Sequence, residues 1–178
     1  FLHLRHDFDP RRNAEIRAER LTPAEVVAVE QADEERARTL KKGCDKLIVP
    51  EFANNQSDRL FPCGAGNQSF VVSYDGIFRL CADLWHPDCV YDLRQGSLAQ
   101  AWEEFVPQVR DLDSTNPEVL EGCHRCPIVN LCLWCPAHAH LETGNLDGFS
   151  KYFCEVAHAR AAALAYEPGD DVRRPLGA

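Results

Sequence analysis

The chain has 178 residues, which is enough for one domain with a sizeable core, or for one domain and a piece of another. Its formal net charge of −9 argues against binding to nucleic acid or to an anionic membrane surface. No apolar run approaches the ~20 residues of a membrane span and no signal-peptide pattern is visible, so we expect a cytoplasmic location. The sequence contains no methionine, and we interpret it as a piece of a longer protein.

The N-terminal part of the sequence predicts a strand followed by a helix. Residues 1–10 alternate apolar and polar side chains, as is typical of a strand, and residues 11–20 form a polar connector. Thr22, with Glu25 three residues later, matches a capping box at a helix N-terminus. One helix is expected from there to Gly43, where positive charge precedes a glycine stop.

The middle of the chain predicts a β-hairpin. Asp75-Gly76 lies between two apolar runs, a combination that favours a tight turn joining strands at 69–73 and 77–81. Residues 44–62, which precede the hairpin, are expected to be mostly loop. Helices are predicted at 97–112 with a kink or early end at Pro107, at 116–122, at 137–143 closed by Gly144, and from Ser150, before a disordered tail over 167–178.

Nine cysteines set this sequence apart, although they remain below the ~8–10 % of a disulfide scaffold. Four of them form a dense segment, Cys123-x2-Cys126-x5-Cys132-x2-Cys135. Five residues separate the two pairs, whereas a zinc ribbon places ~12–20 there, so the spacing is closer to iron–sulfur ligation. A structural zinc site, with or without His138, stays open as an alternative, and so do disulfides.

Along the whole chain the cysteines follow one pattern: Cys63-x12-Gly76-x4-Cys81, then the dense segment, then Cys154. This pattern resembles the SPASM domain, the C-terminal auxiliary-cluster domain of radical S-adenosylmethionine enzymes, over residues 61–165. The family pattern is C-x9–15-G-x4-C, then C-x2-C-x5-C-x3-C, then a final cysteine. The sequence departs from it at one interval, because two residues rather than three separate Cys132 from Cys135.

The resemblance implies two [4Fe–4S] clusters with interleaved ligands. It assigns four cysteines to the second cluster, namely Cys123, Cys126, Cys132 and Cys154. It assigns three to the first cluster, namely Cys63, Cys81 and Cys135. The fourth ligand of the first cluster is left open between Cys89, Cys44 and a position without cysteine.

Three glycines and one helix start support cofactor binding near these cysteines. Gly64 and Gly66 would let the backbone wrap closely and direct N–H groups at cluster sulfurs. Gly76 serves the turn that precedes Cys81. Cys154 falls in the first turn of the last predicted helix, where the helix dipole favours a thiolate.

The expected fold is therefore α+β, with a small β-hairpin and short helices organised around two iron–sulfur clusters. Residues 1–43 are interpreted as the end of a radical SAM barrel with a linker helix, 44–166 as the auxiliary-cluster domain and 167–178 as the tail. The C-x3-C-x2-C loop that holds the catalytic cluster of such enzymes is missing. S-adenosylmethionine and a third cluster are therefore expected only in an N-terminal part outside this sequence.

The resemblance also implies a function. The parent enzyme would modify a peptide or protein substrate, and the auxiliary clusters would transfer electrons or position that substrate. A flavodoxin or ferredoxin is the implied electron donor. The alternatives are a zinc-stapled, non-catalytic interaction module and a stand-alone ferredoxin-like carrier.

Aromatic and histidine side chains near the cysteines receive simpler interpretations. Trp85, Trp102 and Trp134 are expected in the core, and Trp134, between two candidate ligands, would also shield a cluster from water. His138 and His140 lie too close in sequence to share a helix face and are expected in polar roles.

Overall fold

The computed structural model describes residues 3–132 and 134–164. Over these residues the fold is α+β, with a small three-stranded antiparallel sheet and several helices. The predicted tail at 167–178 lies outside the described residues.

The predicted strand at the N-terminus is wrong over residues 3–10, and the predicted connector is a helix. Helix α1 (Pro10–Glu19) begins directly after Asp9, whose side chain accepts a hydrogen bond from the backbone N–H of Arg12. Asp9 is thus an N-cap and Pro10 occupies the first helical turn, where its missing N–H costs nothing. This local start signal outweighs the weak alternation of apolar residues before it.

The single helix predicted up to Gly43 is divided in two at Asp33. Helix α2 (Pro23–Ala32) starts with the predicted capping box, in which Thr22 and Glu25 bond reciprocally. Helix α3 (Glu34–Lys42) follows at once, because the Asp33 side chain accepts from the Arg36 N–H and caps a new N-terminus.

The segment expected as loop contains helix α4 (Cys44–Leu47) and a 3₁₀ turn, Pro50–Asn54. The remaining elements, in chain order, are β1 (Val71–Val72), β2 (Ile77–Arg79), a 3₁₀ turn at Pro87–Cys89, β3 (Val90–Asp92), α5 (Leu98–Gln100), a π-helical turn at Ala101–Phe105, α6 (Val106–Arg110), α7 (Pro117–Glu121), a 3₁₀ turn at Cys123–Arg125, α8 (Val129–Cys132), α9 (Pro136–Thr143) and α10 (Lys151–Ala163).

The predicted hairpin is confirmed, with shorter strands than expected. Gly76 has φ +83° and its N–H donates to Ser73, which closes the turn between β1 and β2. The sequence did not predict β3, which pairs with β2 with Phe78 opposite Tyr91. It is only three residues long and follows the Pro87 turn, so its alternation is too brief to be recognised.

The predicted kink at Pro107 takes the form of a π-helical turn. Helices α5 and α6 are joined through Ala101–Phe105, which ends two residues before Pro107. Proline lacks the N–H of a regular helical bond, and a wider turn at this point accommodates that loss.

Among the described residues, two apolar clusters form the core, and each contains cysteines. One cluster packs the sheet against the π-helical turn and α6, and Cys89 lies within it with Cys81 and Cys135 at its edge. The other packs α8 against α10 and includes Cys132, with Cys126 at its edge. Trp134 packs against both clusters and so connects them.

The N-terminal segment is attached to α9 and α10 through Glu142. This carboxylate accepts hydrogen bonds from Arg20 and Ser150 and lies 3.6 Å from the His3 ring nitrogen. Burial alone would raise the pKa of Glu142, but its interactions with His3, Arg20 and Ser150 outweigh burial and lower it.

Acidification is therefore expected to weaken the fold through Glu142. Because its folded-state pKa is depressed, this stabilisation is complete above the ordinary value of 4.5 and is lost as the pH falls through the folded value. We expect Glu142→Gln to lower stability at pH 7 and to reduce the loss of stability below pH 4.5. Urea unfolding across a pH series measures both effects, and an unchanged pH slope in the variant would contradict this role.

Candidate metal centres

Four cysteines surround one cavity beside α10. Cys123 begins the 3₁₀ turn before α8 and Cys126 directly follows that turn. Cys132 comes from the end of α8 and Cys154 from the first turn of α10. The cavity contains about 550 Å³ of empty space including its open mouth, and its remaining walls are mostly apolar. We call these four residues the second cysteine group; they are the set that the family resemblance assigns to the second cluster.

The thiols of the second cysteine group interact electrostatically. Burial raises the pKa of Cys132 far above its ordinary value, and the nearby Cys123 and Cys154 raise it further. Burial likewise raises the pKa of Cys154 to about 11, so the helix dipole does not produce the thiolate expected there. Burial thus favours the neutral thiol at Cys132 and Cys154, and also at Cys126, whose pKa it raises.

Three further cysteines lie close to one another on the sheet side of the molecule. Burial raises the pKa of Cys135 to about 11, and the nearby Cys81 and Cys63 also raise it. Hydrogen bonds from the backbone N–H groups of His138 and Ala137 lower this pKa, but by less. Cys63 is solvent-exposed, whereas Cys81 and Cys135 are half-buried. We call Cys63, Cys81 and Cys135 the first cysteine group; the resemblance assigns these three residues to the first cluster.

Cys135 is fixed by the start of α9. It is the N-cap of that helix, and its Sγ accepts a hydrogen bond from the His138 N–H at 3.4 Å. Pro136 occupies the first helical turn. Gly144 ends the helix in the left-handed conformation, and this helix end is the one that the sequence predicts. Only two residues separate Cys135 from Cys132, so the two groups meet at this point of the chain.

Cys89 and Cys44, the two cysteines considered as the fourth ligand of the first cluster, lie in different parts of the structure. Cys89 is fully buried in the apolar cluster that borders Cys81 and Cys135. Burial is the main cause that raises its pKa to about 12, and the charges of Asp88 and Cys81 contribute to the same shift. Cys44 begins α4, which packs against α8 on the side of the second cysteine group. Of the two, Cys89 is therefore the one beside the first cysteine group.

The two glycines after Cys63, Gly64 and Gly66, differ in how much space a side chain would have. Gly66 has φ +73°, and a Cβ at this position would lie 2.9 Å from Leu80 and 3.0 Å from Val106. Gly64 has no atom within 4 Å of its Cβ position. Gly66 thus allows the close approach of this loop to the core, while Gly64 leaves open space.

Three arginines hold the backbone beside candidate ligands, and no sequence motif indicated them. Arg110 donates to the carbonyl oxygens of Cys63 at 3.0 Å and of Ala65. Arg79 donates to the carbonyl of Ala82, directly after Cys81, at 2.7 Å. Arg160 donates to the carbonyl of Leu131, directly before Cys132, at 2.6 Å.

One of the three tryptophans differs from its predicted role. Trp134 lines the cavity of the second cysteine group and donates its indole N–H to Gly148 at 3.0 Å, while Trp102 packs at the edge of the core. Trp85 was expected in the core, but half of its surface is exposed because it lies over the guanidinium of Arg79.

Histidine rings collect where the N-terminal segment meets α9. His138 lies 4.3 Å from the ring of His3, and His140 lies 4.8 Å from His6 and 4.7 Å from His86. His138 and His140 thus contact different neighbours, in agreement with their spacing on the helix.

Within residues 3–132 and 134–164, no three His, Cys, Asp or Glu side chains are arranged closely enough to hold one metal ion. A single tetrahedral zinc at ~2.3 Å from each sulfur requires its four thiolates within about 4 Å of one another. An iron–sulfur cluster instead binds each thiolate to a different iron, around a larger body.

Comparison with known proteins gives one partial match. The chain is 30% identical over 110 residues to an uncharacterized protein of Archaeoglobus fulgidus, and the match covers 61% of this chain and 26% of that protein. The chain thus spans about a quarter of the length of that relative. No family model and no solved structure matches the chain. Among the described helices, none has the length and apolar character needed to cross a membrane.

Proposed function

We propose that this chain binds two auxiliary [4Fe–4S] clusters as the C-terminal part of a radical S-adenosylmethionine enzyme that modifies a peptide or protein. One observation carries the proposal: the three cysteines at 123, 126 and 132 line a single cavity together with Cys154 from another helix. They are the four residues that the SPASM resemblance assigns to one cluster.

The donor chemistry of the cavity favours iron and sulfur. Four cysteines are among its lining residues, and Ile128 and Trp134 are among its apolar walls. Thiolates are the ligands that iron–sulfur clusters use, and an apolar wall limits access of water to them. In this proposal Cys123, Cys126, Cys132 and Cys154 hold the second cluster, and Cys63, Cys81 and Cys135 hold the first.

The roles of the chain's own residues follow from these positions. When bound, such clusters accept and pass single electrons at potentials set by nearby charge, hydrogen bonds and exposure. Trp134 excludes water from the second group, and the Gly66 turn brings the Cys63 loop against the core. Cys63 is the exposed member of the first group, so that site faces solvent.

The remaining cofactors and the electron donor would belong to the rest of the parent enzyme. S-adenosylmethionine and a third cluster would bind to the barrel, and helices α1 to α3 would lie at the junction with it. A flavodoxin or ferredoxin would supply electrons in the cytoplasm.

Metal analysis of the chain tests the proposal directly. After anaerobic reconstitution we expect about eight iron and eight sulfide per chain, the content of two four-iron clusters. One or two zinc without sulfide would instead establish the zinc-stapled interaction module and overturn the proposal. If the loaded chain alone were to relay electrons to a substrate protein, without a fused radical SAM domain, the stand-alone carrier would be correct.

A further inference from the structure

We propose that Arg79 and Arg110 are the cations that raise the reduction potential of the first cluster above that of the second. This inference rests on the proposed function, because it concerns the same two sites. It comes from an asymmetry in charge: the arginine beside the second cysteine group is neutralised by a carboxylate, whereas the two beside the first group are not.

Arg79 is a buried cation with unused hydrogen-bonding capacity. Its side chain is 4% exposed, its Cζ lies 3.4 Å from the ring centroid of Trp85, and it donates to Ala82. Its Nε is buried and has no hydrogen-bond partner. Burial of a charge without a counter-charge is costly, so this position favours an anion close by, and a thiolate-ligated cluster at Cys81 is one.

Arg110 holds the loop that carries Cys63. Its guanidinium donates to the backbone carbonyls of Cys63 and Ala65 and approaches that of Phe61 at 3.5 Å. These contacts connect the end of α6 to a segment about 45 residues earlier in the chain. The positive charge is therefore held next to the Cys63 backbone and cannot move away as a surface side chain would.

Neither arginine has an acidic partner in the part of the chain that the structure describes. Every ion pair there with a nitrogen–oxygen distance of up to 4.0 Å involves other residues. Arg160, beside Cys132, contrasts with them, because it forms two hydrogen bonds with Glu30 at 2.7 and 3.0 Å. Arg160 itself therefore adds little net positive charge beside the second group.

This difference in charge determines which of the two clusters has the higher reduction potential. Reduction adds negative charge to a cluster, and a nearby positive charge stabilises the reduced form and raises its potential. The first cluster is then the better electron acceptor, and electrons move from the second cysteine group toward the exposed side of the molecule at Cys63.

Redox titration of the reconstituted chain, followed by electron paramagnetic resonance, tests the proposal. The first-cluster signal is the one that Cys63→Ser alters. We expect Arg79→Gln and Arg110→Gln to shift the midpoint of this signal to more negative potential and to leave the second-cluster midpoint in place. Arg79→Lys and Arg110→Lys keep the charge and should restore most of the shift. Arg94→Gln is the control, since Arg94 is exposed and paired with Asp92.

The other possible results of the redox titration either support or overturn the role of the two arginines. Unshifted midpoints in the glutamine variants, equal shifts of both clusters, or lysine variants that behave like glutamine variants would overturn the role of charge. If a glutamine variant loses the first cluster, retention of that cluster in the lysine variant supports the proposal and its loss there overturns it. Failure of the unmodified chain to bind any cluster would reject the proposed function itself, which distinguishes the two failures.

Discussion

Replacing Cys132 with serine is expected to remove about half of the iron and sulfide from the reconstituted chain, because one of two four-iron clusters is lost. Cys132 is the most buried member of the second cysteine group and lines its cavity together with Cys123, Cys126 and Cys154. A serine hydroxyl occupies the same space but ionises far less readily than a thiol, so it is a poor ligand at neutral pH. Iron and acid-labile sulfide analysis measures the loss.

The chain provides a matched control in Cys44. This residue begins α4, which packs against α8 beside the second group, but it is not part of the cavity wall. Cys44→Ser is therefore expected to keep full iron content. Full iron content in Cys132→Ser, or an equal loss in both variants, would show that the cavity does not define the ligand set.

Replacing Gly66 with alanine is expected to destabilise the folded chain by about 2–4 kcal/mol, from backbone strain and from overpacking. Gly66 has φ +73°, a conformation that disfavours any Cβ, and the new methyl group would lie 2.9 Å from Leu80. Because Leu80 is fully buried, it has little freedom to move aside. The denaturant midpoint of the loaded chain, measured without oxygen, reports the change.

Gly64→Ala is the control for the glycine prediction. It lies in the same loop, two residues earlier, and its Cβ would meet no atom within 4 Å. We expect a change in stability of at most a few tenths of a kcal/mol, as at most exposed sites. Equal destabilisation by the two substitutions would mean that the close approach of Gly66 to the core is not what the loop requires.

The sequence predicted those features that depend on neighbouring residues. The Asp75-Gly76 turn, the Thr22 capping box and the Gly144 helix end each arise from a few adjacent side chains, and all three are confirmed. The wrong predictions came from competing local signals. Asp9 starts a helix where alternation indicated a strand, and Asp33 starts a second helix where one was expected.

The candidate site was predictable only through its cysteines. Spacing and the family resemblance identified which cysteines to consider, but nothing local indicates that Cys154 reaches the cavity of Cys123. The arginines were missed for the same reason, since Arg110 contacts a loop about 45 residues away. Trp85 was placed in the core because the sequence does not reveal that it covers Arg79.

The interleaving of the two cysteine groups constrains how the protein can be assembled on the ribosome. Cys132 and Cys135 belong to different groups, and the second group is complete only when Cys154 has been synthesised. The first group likewise needs Cys135, long after Cys63 has left the ribosome. In the proposed function, neither cluster can form on a short nascent chain, so both are expected to be inserted late, as one coupled event after the long loops between the cysteines have closed.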